Sequence, residues 1–343
     1  MKRQLPSDHT PNVSVLMPVR NAETSIIASV ESIISQTLTN WELVIIDDGS
    51  TDNTPHHLDQ IVAKDPRIHI HRTPPLGIAR ALNHGITCCR AVWIARMDAD
   101  DLMMPDRLAS QIDHAQRNPD LGVVSGLVRH GGGPGGFAMY VDWLNSFMSP
   151  EEIEMKRFIE SPIAHPSAMF RRDLVERLGG YRSGDFPEDY ELWLRWIEHG
   201  VKFGKVGSHV ITWNDTPKRL TRSDPRYGAE KFYAAKLAYL ATWLRKNVDP
   251  SRDIWLWGAG RITRKRFSPL PSHGISITGL IDIDPKKCGA RRDGLNVVMP
   301  ANMPHRDKVF IITGVAKHGA RELIQRNLED QGRIEGRDFI HAA

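Results

Sequence analysis

Cysteine is scarce in this chain: Cys88, Cys89 and Cys288 are the only three among 343 residues. Two are adjacent and none falls in a metal-ligand spacing along the sequence. Neither a disulfide framework nor a zinc site is therefore expected, and reduced thiols suit a cytoplasmic protein. Long apolar runs are missing too. No stretch approaches the roughly 20 apolar residues that span a bilayer. Residues 1–10 are polar and lack the apolar core of a secretory signal. The expectation is a cytoplasmic protein with no transmembrane segment, which would reach a membrane-bound product by peripheral contact at the inner face. A one-sided charge is also absent. Lys and Arg number 45 against 41 Asp and Glu, a net +4. That is too mild to indicate a nucleic-acid partner, although it suits anionic substrates.

What remains is ordinary globular composition, 41% hydrophobic and 25% charged, in a chain long enough for about two domains. In the first half short apolar runs alternate with helical spacing, which signals a mainly parallel α/β sheet. Residues 13–17 read as a buried strand ended by Pro18. A helix is expected over 22–36, from the spacing of Ile26, Ile27, Val30, Ile33 and Ile34. Further strands are expected over 41–46, 68–70 and 91–97, with a helix over 77–89. The second strand runs into Asp47-Asp48-Gly49-Ser50 and the fourth into Asp98-Ala99-Asp100-Asp101, with Thr51 and Asp52 as caps for the next helix. Polar residues thus gather at strand carboxyl ends, the edge where open α/β sheets bind ligands.

Beyond about residue 122 the pattern loosens. The glycine-rich run 131–136 should form neither helix nor strand but a flexible surface loop. Helices are expected over 150–159, from Glu188 onward and over 227–246, and a strand over 167–170. Tyr233, Leu237, Leu240 and Leu244 make a packing stripe on the last helix. After Asp249-Pro250-Ser251 an α/β pattern restarts, with strands over 254–257, 275–283 and 309–313, a basic helix after Gly260, and a final helix over 320–331. The expected organisation is a polar tail (1–10), an α/β ligand-binding domain (11–225), a helical linker (226–250) and a smaller Rossmann-like α/β domain (251–343).

Asp98-Ala99-Asp100 is the strongest chemical signal. Residues i and i+2 of an extended chain face the same way, so both carboxylates can address one site. One or two of them, with phosphate oxygens, make a suitable incomplete shell for Mg²⁺ or Mn²⁺, able to neutralise a pyrophosphate leaving group. Acidic triplets are common in solvated loops, and the position directly after an apolar strand is what distinguishes this one. At Asp47-Asp48-Gly49-Ser50 a carboxylate could accept the imide N–H of a pyrimidine base, with Gly49 permitting the tight turn. An acidic helix-capping turn is the alternative.

Several further runs occur in a telling order. They are Val13-Ser14-Val15-Leu16-Met17-Pro18-Val19-Arg20-Asn21, Ser35-Gln36-Thr37, Glu42 through Asp52, the Asp98 triplet, and Met104-Pro105-Asp106-Arg107-Leu108. His165-Pro166-Ser167, Gly179-Gly180-Tyr181 and Glu188-Asp189-Tyr190-Glu191-Leu192-Trp193 follow. Together they resemble the family-2 inverting glycosyltransferases of the GT-A fold, over roughly residues 11–215. The resemblance implies a nucleotide-sugar-binding domain built on a twisted, mainly parallel sheet flanked by helices. It implies that Pro18, Val19 and Asn21 line the nucleotide pocket and that Asp48 binds the base. Asp98 would lie against the ribose or the metal, and Asp100 would be the direct metal ligand. Asp189, of the Glu188–Asp189 pair, would be the general base. The chemistry agrees, because an inverting transfer needs one carboxylate to take the acceptor proton and no covalent enzyme intermediate. An acidic residue placed in a helix's first turn is the alternative.

His165 is a further candidate for the acceptor or diphosphate, and equally a structural histidine. Arg219 and Arg222 could neutralise the leaving diphosphate or belong to a solvated basic loop. The 131–136 run is a candidate lid over bound donor. The chain lacks the Gln-x-x-Arg-Trp pattern of processive members, so addition of a single sugar is expected. The expected donor is a UDP-sugar, with GDP and dTDP as the other options. The expected acceptor is a carbohydrate or lipid-linked hydroxyl in cell-envelope polysaccharide or glycolipid biosynthesis.

Gly258-Ala259-Gly260, followed some twenty-odd residues later by Asp282 or Asp284, resembles the start of a dinucleotide-binding βαβ unit, with Thr263 where the third glycine would stand. Gly258, Gly260 and Asp282 are therefore a candidate second nucleotide site for NAD(P) or another nucleotide, with a structural or docking module as the alternative. Two other readings of the whole chain compete. A nicotinamide-dependent oxidoreductase is opposed by the lack of a catalytic Tyr–Lys or His–Asp arrangement near Gly258. A non-catalytic sugar-nucleotide scaffold is opposed by the presence of Asp98, Asp100 and Asp189.

Overall fold

The computed structural model describes residues 10–132, 135–216, 219–317 and 319–343. Most of the expected polar tail, and Gly133 and Pro134 of the expected lid, lie outside them. The first half contains β1 (Val13–Val19), α1 (Ile26–Ile34), β2 (Trp41–Asp48), α2 (Thr54–Val62), β3 (Ile68–Thr73), α3 (Ile78–Cys88), β4 (Trp93–Arg96), β5 (Leu102–Met103), α4 (Arg107–Arg117) and β6 (Leu121–His130). Then follow α5 (Gly135–Asn145), α6 (Pro150–Lys156), β7 (Met169–Arg171), α7 (Asp173–Leu178), α8 (Glu188–Glu198), β8 (Lys202–Trp213), α9 (Leu220–Ser223) and α10 (Ala229–Asn247). The remainder holds β9 (Asp253–Trp257), α11 (Arg261–Phe267), β10 (Ile277–Ile281), β11 (Arg291–Arg292), β12 (Leu295–Val298), β13 (Val309–Thr313), α12 (Ala320–Asp330) and β14 (Phe339–His341). Contacts divide the chain into two units. One comprises Met1–Pro150, Ile163–Gly184 and His199–Arg222, the other Glu151–Pro162, Asp185–Glu198 and Ser223–Ala343.

The first unit is built on an eight-stranded sheet in the order β3-β2-β1-β4-β7-β6-β8-β5. Neighbours from β3 to β4 are parallel, β7 runs antiparallel to both β4 and β6, and β8 is parallel to β6. Strands covered on both faces read as continuous apolar runs, and every residue of β2 is buried. Strand order reverses between β1 and β4, which places a crevice at their carboxyl ends. Pro18 does not end β1 as expected. Pairing with β4 stops at Leu16↔Arg96, so the missing Pro18 N–H breaks no ladder bond on that side, while β2 continues alongside to Val19↔Asp47. β2 itself runs on to Asp48 because β3 still pairs there, Asp48↔Thr73. Gly135 and Gly136 are helical, in the first turn of α5. The expectation that no helix forms in that run fails at its last two residues, where the following apolar residues pull the turn into register.

The second unit carries a six-stranded sheet, β11-β12-β10-β9-β13-β14, in which all pairs except β11–β12 are parallel. Counted by chain position from β9, its parallel strands stand 3-2-1-4-5, five of the six strands of the doubly wound order. α10, expected as a linker, is part of this unit's core. Tyr233, Leu237, Leu240 and Leu244 pack with Tyr190 and Leu194 of α8 and with Leu256, Leu280, Phe310 and Ile340 of the sheet. Beside them, the buried Lys236 Nζ donates to the carbonyls of Phe158, Ile159 and Ala342. No helix among the described residues is long and apolar enough to cross a membrane.

Candidate active site

The loops after β1 and β2 are laced together. Asn21, in a left-handed conformation (φ 53°), receives the Thr51 amide on Oδ1 at 2.8 Å, and its own N–H donates to Ser50 Oγ at 3.0 Å. The Ala22 N–H donates to Thr54 Oγ1 at 2.8 Å, and the Glu23 N–H to Asp52 Oδ2 at 3.2 Å. These bonds occupy the chain before Ile26, which is why α1 begins four residues later than its apolar spacing suggests. Gly49 turns at φ 73°, and a Cβ there would stand 2.9 Å from Pro75 Cδ.

Asp48, expected to meet a base, is already engaged. Its carboxylate accepts from Thr73 Oγ1 (3.2 Å), Leu76 N–H (2.6 Å) and Gly77 N–H (2.9 Å). A carboxylate offers about four acceptor positions, so these bonds leave room for about one more. Pro18 and Val19, at the end of β1, and Asn21 just beyond it lie on the same strand-end edge.

At the end of β4 the carboxylates of Asp98, Asp100 and Asp101 converge, each with an oxygen within 4.8 Å of the others. Asp98 pairs with Arg96, which is fully buried. Asp100 accepts from Thr216 Oγ1 at 3.3 Å, and its main-chain carbonyl from Asn214 Nδ2 at 2.7 Å. Asp101 is buried. One of its oxygens accepts the Asn214 N–H at 2.8 Å, and the other has no hydrogen-bond partner among the described residues. Burial first, and the Asp98 charge second, push the Asp100 carboxyl up to about 6, against the pull of Arg219 and Arg96. The same causes, with Asp100 added, lift Asp101 well above the carboxylate range. Carboxylates disfavoured as anions by burial and by each other, one carrying an unused buried oxygen, make a donor set that fits a hard divalent cation.

Beneath them lie two buried guanidiniums. Burial would lower the Arg96 pKa, but Asp98, Tyr181 and Asp101 raise it more. Arg107 donates to the carbonyls of Arg96 (2.9 Å) and Ala168 (3.3 Å) and to Gln111 Oε1 (3.0 Å), and burial brings it down to about 9. Gln36 holds this corner from the other side. Its Nε2 donates to Met104 O at 2.7 Å and its Oε1 accepts the Leu108 N–H at 3.1 Å. The Ser-Gln-Thr and Met-Pro-Asp-Arg-Leu runs are therefore one structural clasp.

His165 is buried, 2.7 Å from Tyr181 Oη through Nε2, and burial followed by Arg96 keeps its pKa far below the usual value. Its ring is a neutral hydrogen-bonding part of the wall. Arg219 lies over Trp213 and Phe137, 4.4 and 4.7 Å from the ring centroids. Arg222 pairs with Asp215. Of this group, Arg96, Asn214 and Thr216 escaped prediction from sequence, while Asp101 and Arg107 were named only within motif runs and given no role. Arg96, a charge inside an otherwise apolar strand, was the available signal; Asn214 and Thr216 arrive from β8 and carried none.

In the second unit Glu188 and Asp189 open α8. Glu188 is buried and accepts from Tyr227 Oη on both oxygens, at 2.8 and 2.7 Å. Asp189 is half-buried, its Oδ1 accepting the Tyr190 N–H at 2.8 Å. At the start of the second sheet Gly258 has φ 126°, where a Cβ would press on Thr263 and Val315. Gly260 precedes α11. Asp282 accepts from Ala259 N–H (3.0 Å), Asp284 N–H (3.0 Å) and Lys287 Nζ (3.2 and 3.1 Å). Its oxygens are spent on its own surroundings.

A family profile described as Glycosyl transferase family 2 matches residues 14–179. The O-antigen biosynthesis glycosyltransferase WbnJ of Escherichia coli is 32% identical over 239 residues, 69% of this chain and 90% of that protein. The fold resembles the mannosyltransferase PcManGT from Pyrobaculum calidifontis, solved with GDP-Man and Mn²⁺, at a TM-score of 0.51 and 22% identity over 78% of this chain and 70% of that one. It also resembles S. aureus TarS 1–349, solved with UDP-GlcNAc, at a TM-score of 0.53 and 16% identity over 69% and 68%. Profile, relative and fold converge on one assignment: the chain belongs to glycosyl transferase family 2, has the GT-A fold with a second α/β unit, and is a glycosyltransferase.

Proposed function

We propose that this enzyme transfers a single sugar, with inversion, from a UDP-sugar to the hydroxyl of a carbohydrate or lipid-linked acceptor in envelope polysaccharide biosynthesis, working at the cytoplasmic face. The observation that carries the reading is the Asp98–Asp100–Asp101 cluster at the strand-order reversal. The UDP-GlcNAc bound by TarS and the O-antigen role in the name of WbnJ support donor and pathway; the Mn²⁺ with PcManGT supports metal dependence.

In this reading Asp100 and Asp98 hold a divalent cation. Bound there, the cation supplies charge neutralisation for the pyrophosphate. Pro18, Val19 and Asn21 shape the nucleotide edge, and Asp48 gives its remaining acceptor position to the base while holding the 73–77 segment. Arg219, already turned toward the aromatic rings beside Asp100, adds positive charge for the diphosphate. His165 positions Tyr181 and takes no proton. Asp189 takes the acceptor proton as the hydroxyl attacks the anomeric carbon, with Glu188 fixed by Tyr227 as its neighbour. The Gly258–Gly260 turn, whose Asp282 is already paired, serves packing.

The test is a donor screen in which purified protein, Mn²⁺ or Mg²⁺ and a panel of nucleotide sugars are followed for nucleoside diphosphate release. Slow, metal-dependent hydrolysis of one donor, lost in Asp100→Ala, is expected. Silence across the panel, with no thermal shift from any nucleotide, would overturn the reading in favour of a non-catalytic scaffold.

A further inference from the structure

A different donor set lies between β3 and α3 of the first unit. One ring nitrogen each of His71 and His84 and the Cys88 Sγ all lie within 4.8 Å of one another. His84 and Cys88 are one helical turn apart on α3, so they share a face, and His71 reaches them from β3. The two imidazoles meet edge to face, with ring centroids 5.9 Å apart and planes at 89°. Gly85 is what brings the helix this close. A Cβ there would stand 2.2 Å from Leu16 Cδ1 and 2.9 Å from Ile46 Cγ1.

The sequence expectation that no cysteine has a metal-ligand spacing took no account of donors from another element: His71, on β3, stands thirteen positions before His84. Among the described residues, nothing hydrogen-bonds the ring nitrogens of His71 or His84 or the sulfur of Cys88. The adjacent thiol is of another kind. Cys89 is buried, and burial together with the Glu42 charge raises its pKa, so it stays protonated. Cys88 is half-buried beside the two rings. His69, two residues before His71, turns its Nε2 toward Glu42, 3.9 Å away.

We propose that His71, His84 and Cys88 bind a borderline-soft divalent cation of the zinc class, with water completing a four-coordinate shell. Thiolate and imidazole ligands select zinc-like ions, whereas carboxylates and phosphate oxygens select magnesium and manganese. A tetrahedral centre needs donors about 3.3–3.8 Å apart, from metal–ligand bonds of about 2.0–2.3 Å. Small rotations of exposed His84 and half-buried Cys88 supply that contraction. On binding, the Cys88 S–H bond breaks, its proton passes to solvent and the sulfur lone pair forms the metal bond, with no redox change. The bound ion would join β3 to α3 across the 73–77 segment that grips Asp48, bracing the nucleotide edge without entering it.

Cobalt(II) reads this out in the full-length protein with excess Mg²⁺ present to occupy the carboxylates. Wild type should take up one equivalent with a thiolate-to-cobalt charge-transfer band and tetrahedral d–d absorption, displaced by one equivalent of zinc. Cys88→Ser should lose the band, while His71→Ala and His84→Ala should each weaken binding at least tenfold. Cys288→Ser and Asp100→Ala should leave the band unchanged, the latter separating this site from the catalytic one. Zinc should raise the wild-type Tm and not that of the His84→Ala/Cys88→Ser double variant, whose metal-free melt shows that it folds. Cobalt uptake without the band, or a band indifferent to both histidine substitutions, would overturn the proposal.

Discussion

Replacing Asp100 by Asn should stabilise the metal-free protein at neutral pH while removing metal-dependent turnover. Burial and Asp98 raise the Asp100 carboxyl from 3.8 to about 6, about two units, and each unit corresponds to 1.36 kcal/mol. An acid whose folded pKa lies above its unfolded value contributes stability that is complete below pH 3.8 and is lost as pH rises through 6. Above that window the charged Asp100 costs about 3 kcal/mol, part of it shared with Asp98 and Asp101 because the three repel one another. Asn has the same shape, and its amide oxygen can still accept from Thr216 Oγ1. Domains of 150–250 residues shift by roughly 2–4 °C per kcal/mol, so the metal-free Tm at pH 7.5 should rise by several degrees. At pH 5 the gain should shrink. Thermal melts in EDTA at the two pH values measure this directly, and melts with Mn²⁺ complete the test, since wild type should gain stability from the ion and Asp100→Asn should not. A variant no more stable than wild type at pH 7.5, or a gain equal at both pH values, would refute the argument that these carboxylates are held together against their own charge.

Asp189→Asn should leave nucleotide-sugar affinity by calorimetry almost intact while abolishing transfer; equal loss of both would remove Asp189 from the base role. Gly49→Ala forces an L side chain to φ 73° against Pro75, which should cost upward of 1–2 kcal/mol in denaturant unfolding and weaken donor binding by loosening the Asn21 and Asp48 loops. Arg107→Met takes the guanidinium donor from the Arg96 carbonyl and Gln111 Oε1 and leaves the Ala168 carbonyl to the Arg96 N–H alone. Unfolding free energy should fall by about 3 kcal/mol or more, with lowered protein yield as the first sign.

The strands that build the site were legible because parallel strands covered on both faces carry mainly apolar runs, as residues 15–17 of β1, 43–46 of β2 and 93–95 of β4 do. The acidic cluster was legible for the complementary reason, since carboxylates directly after such a strand have no packing role to explain them. Boundaries were not legible where side-chain hydrogen bonds decide them, as at residues 22–25 ahead of α1. Nor was the allocation of α8 and α10 to the second unit. Tyr190, Leu194, Leu237 and Leu240 announce an apolar face on each helix, but which partner covers it is settled only by the whole set of contacts in that core.

Charge around β4 explains why the motif needs more than its two named carboxylates. Asp98 is paired with buried Arg96, yet its charge still raises both Asp100 and Asp101. Burial, with Asp98 and Asp100, lifts the Asp101 carboxyl well above the carboxylate range, which favours its acid form in the metal-free site. Arg107, brought down to about 9 by burial but raised in part by Asp101, supplies the counter-charge that lets Asp101 ionise. A divalent cation arriving at Asp100 would tip that balance, drawing the Asp101 proton off. Metal uptake should therefore release protons, and turnover should fall as pH drops through 6, where protons compete with the cation for Asp100. An unbuffered metal titration reads the release directly. Uptake with no proton release at pH 7 would mean that Asp101 is already ionised, and that the two guanidiniums beneath it, rather than the metal, stabilise its charge.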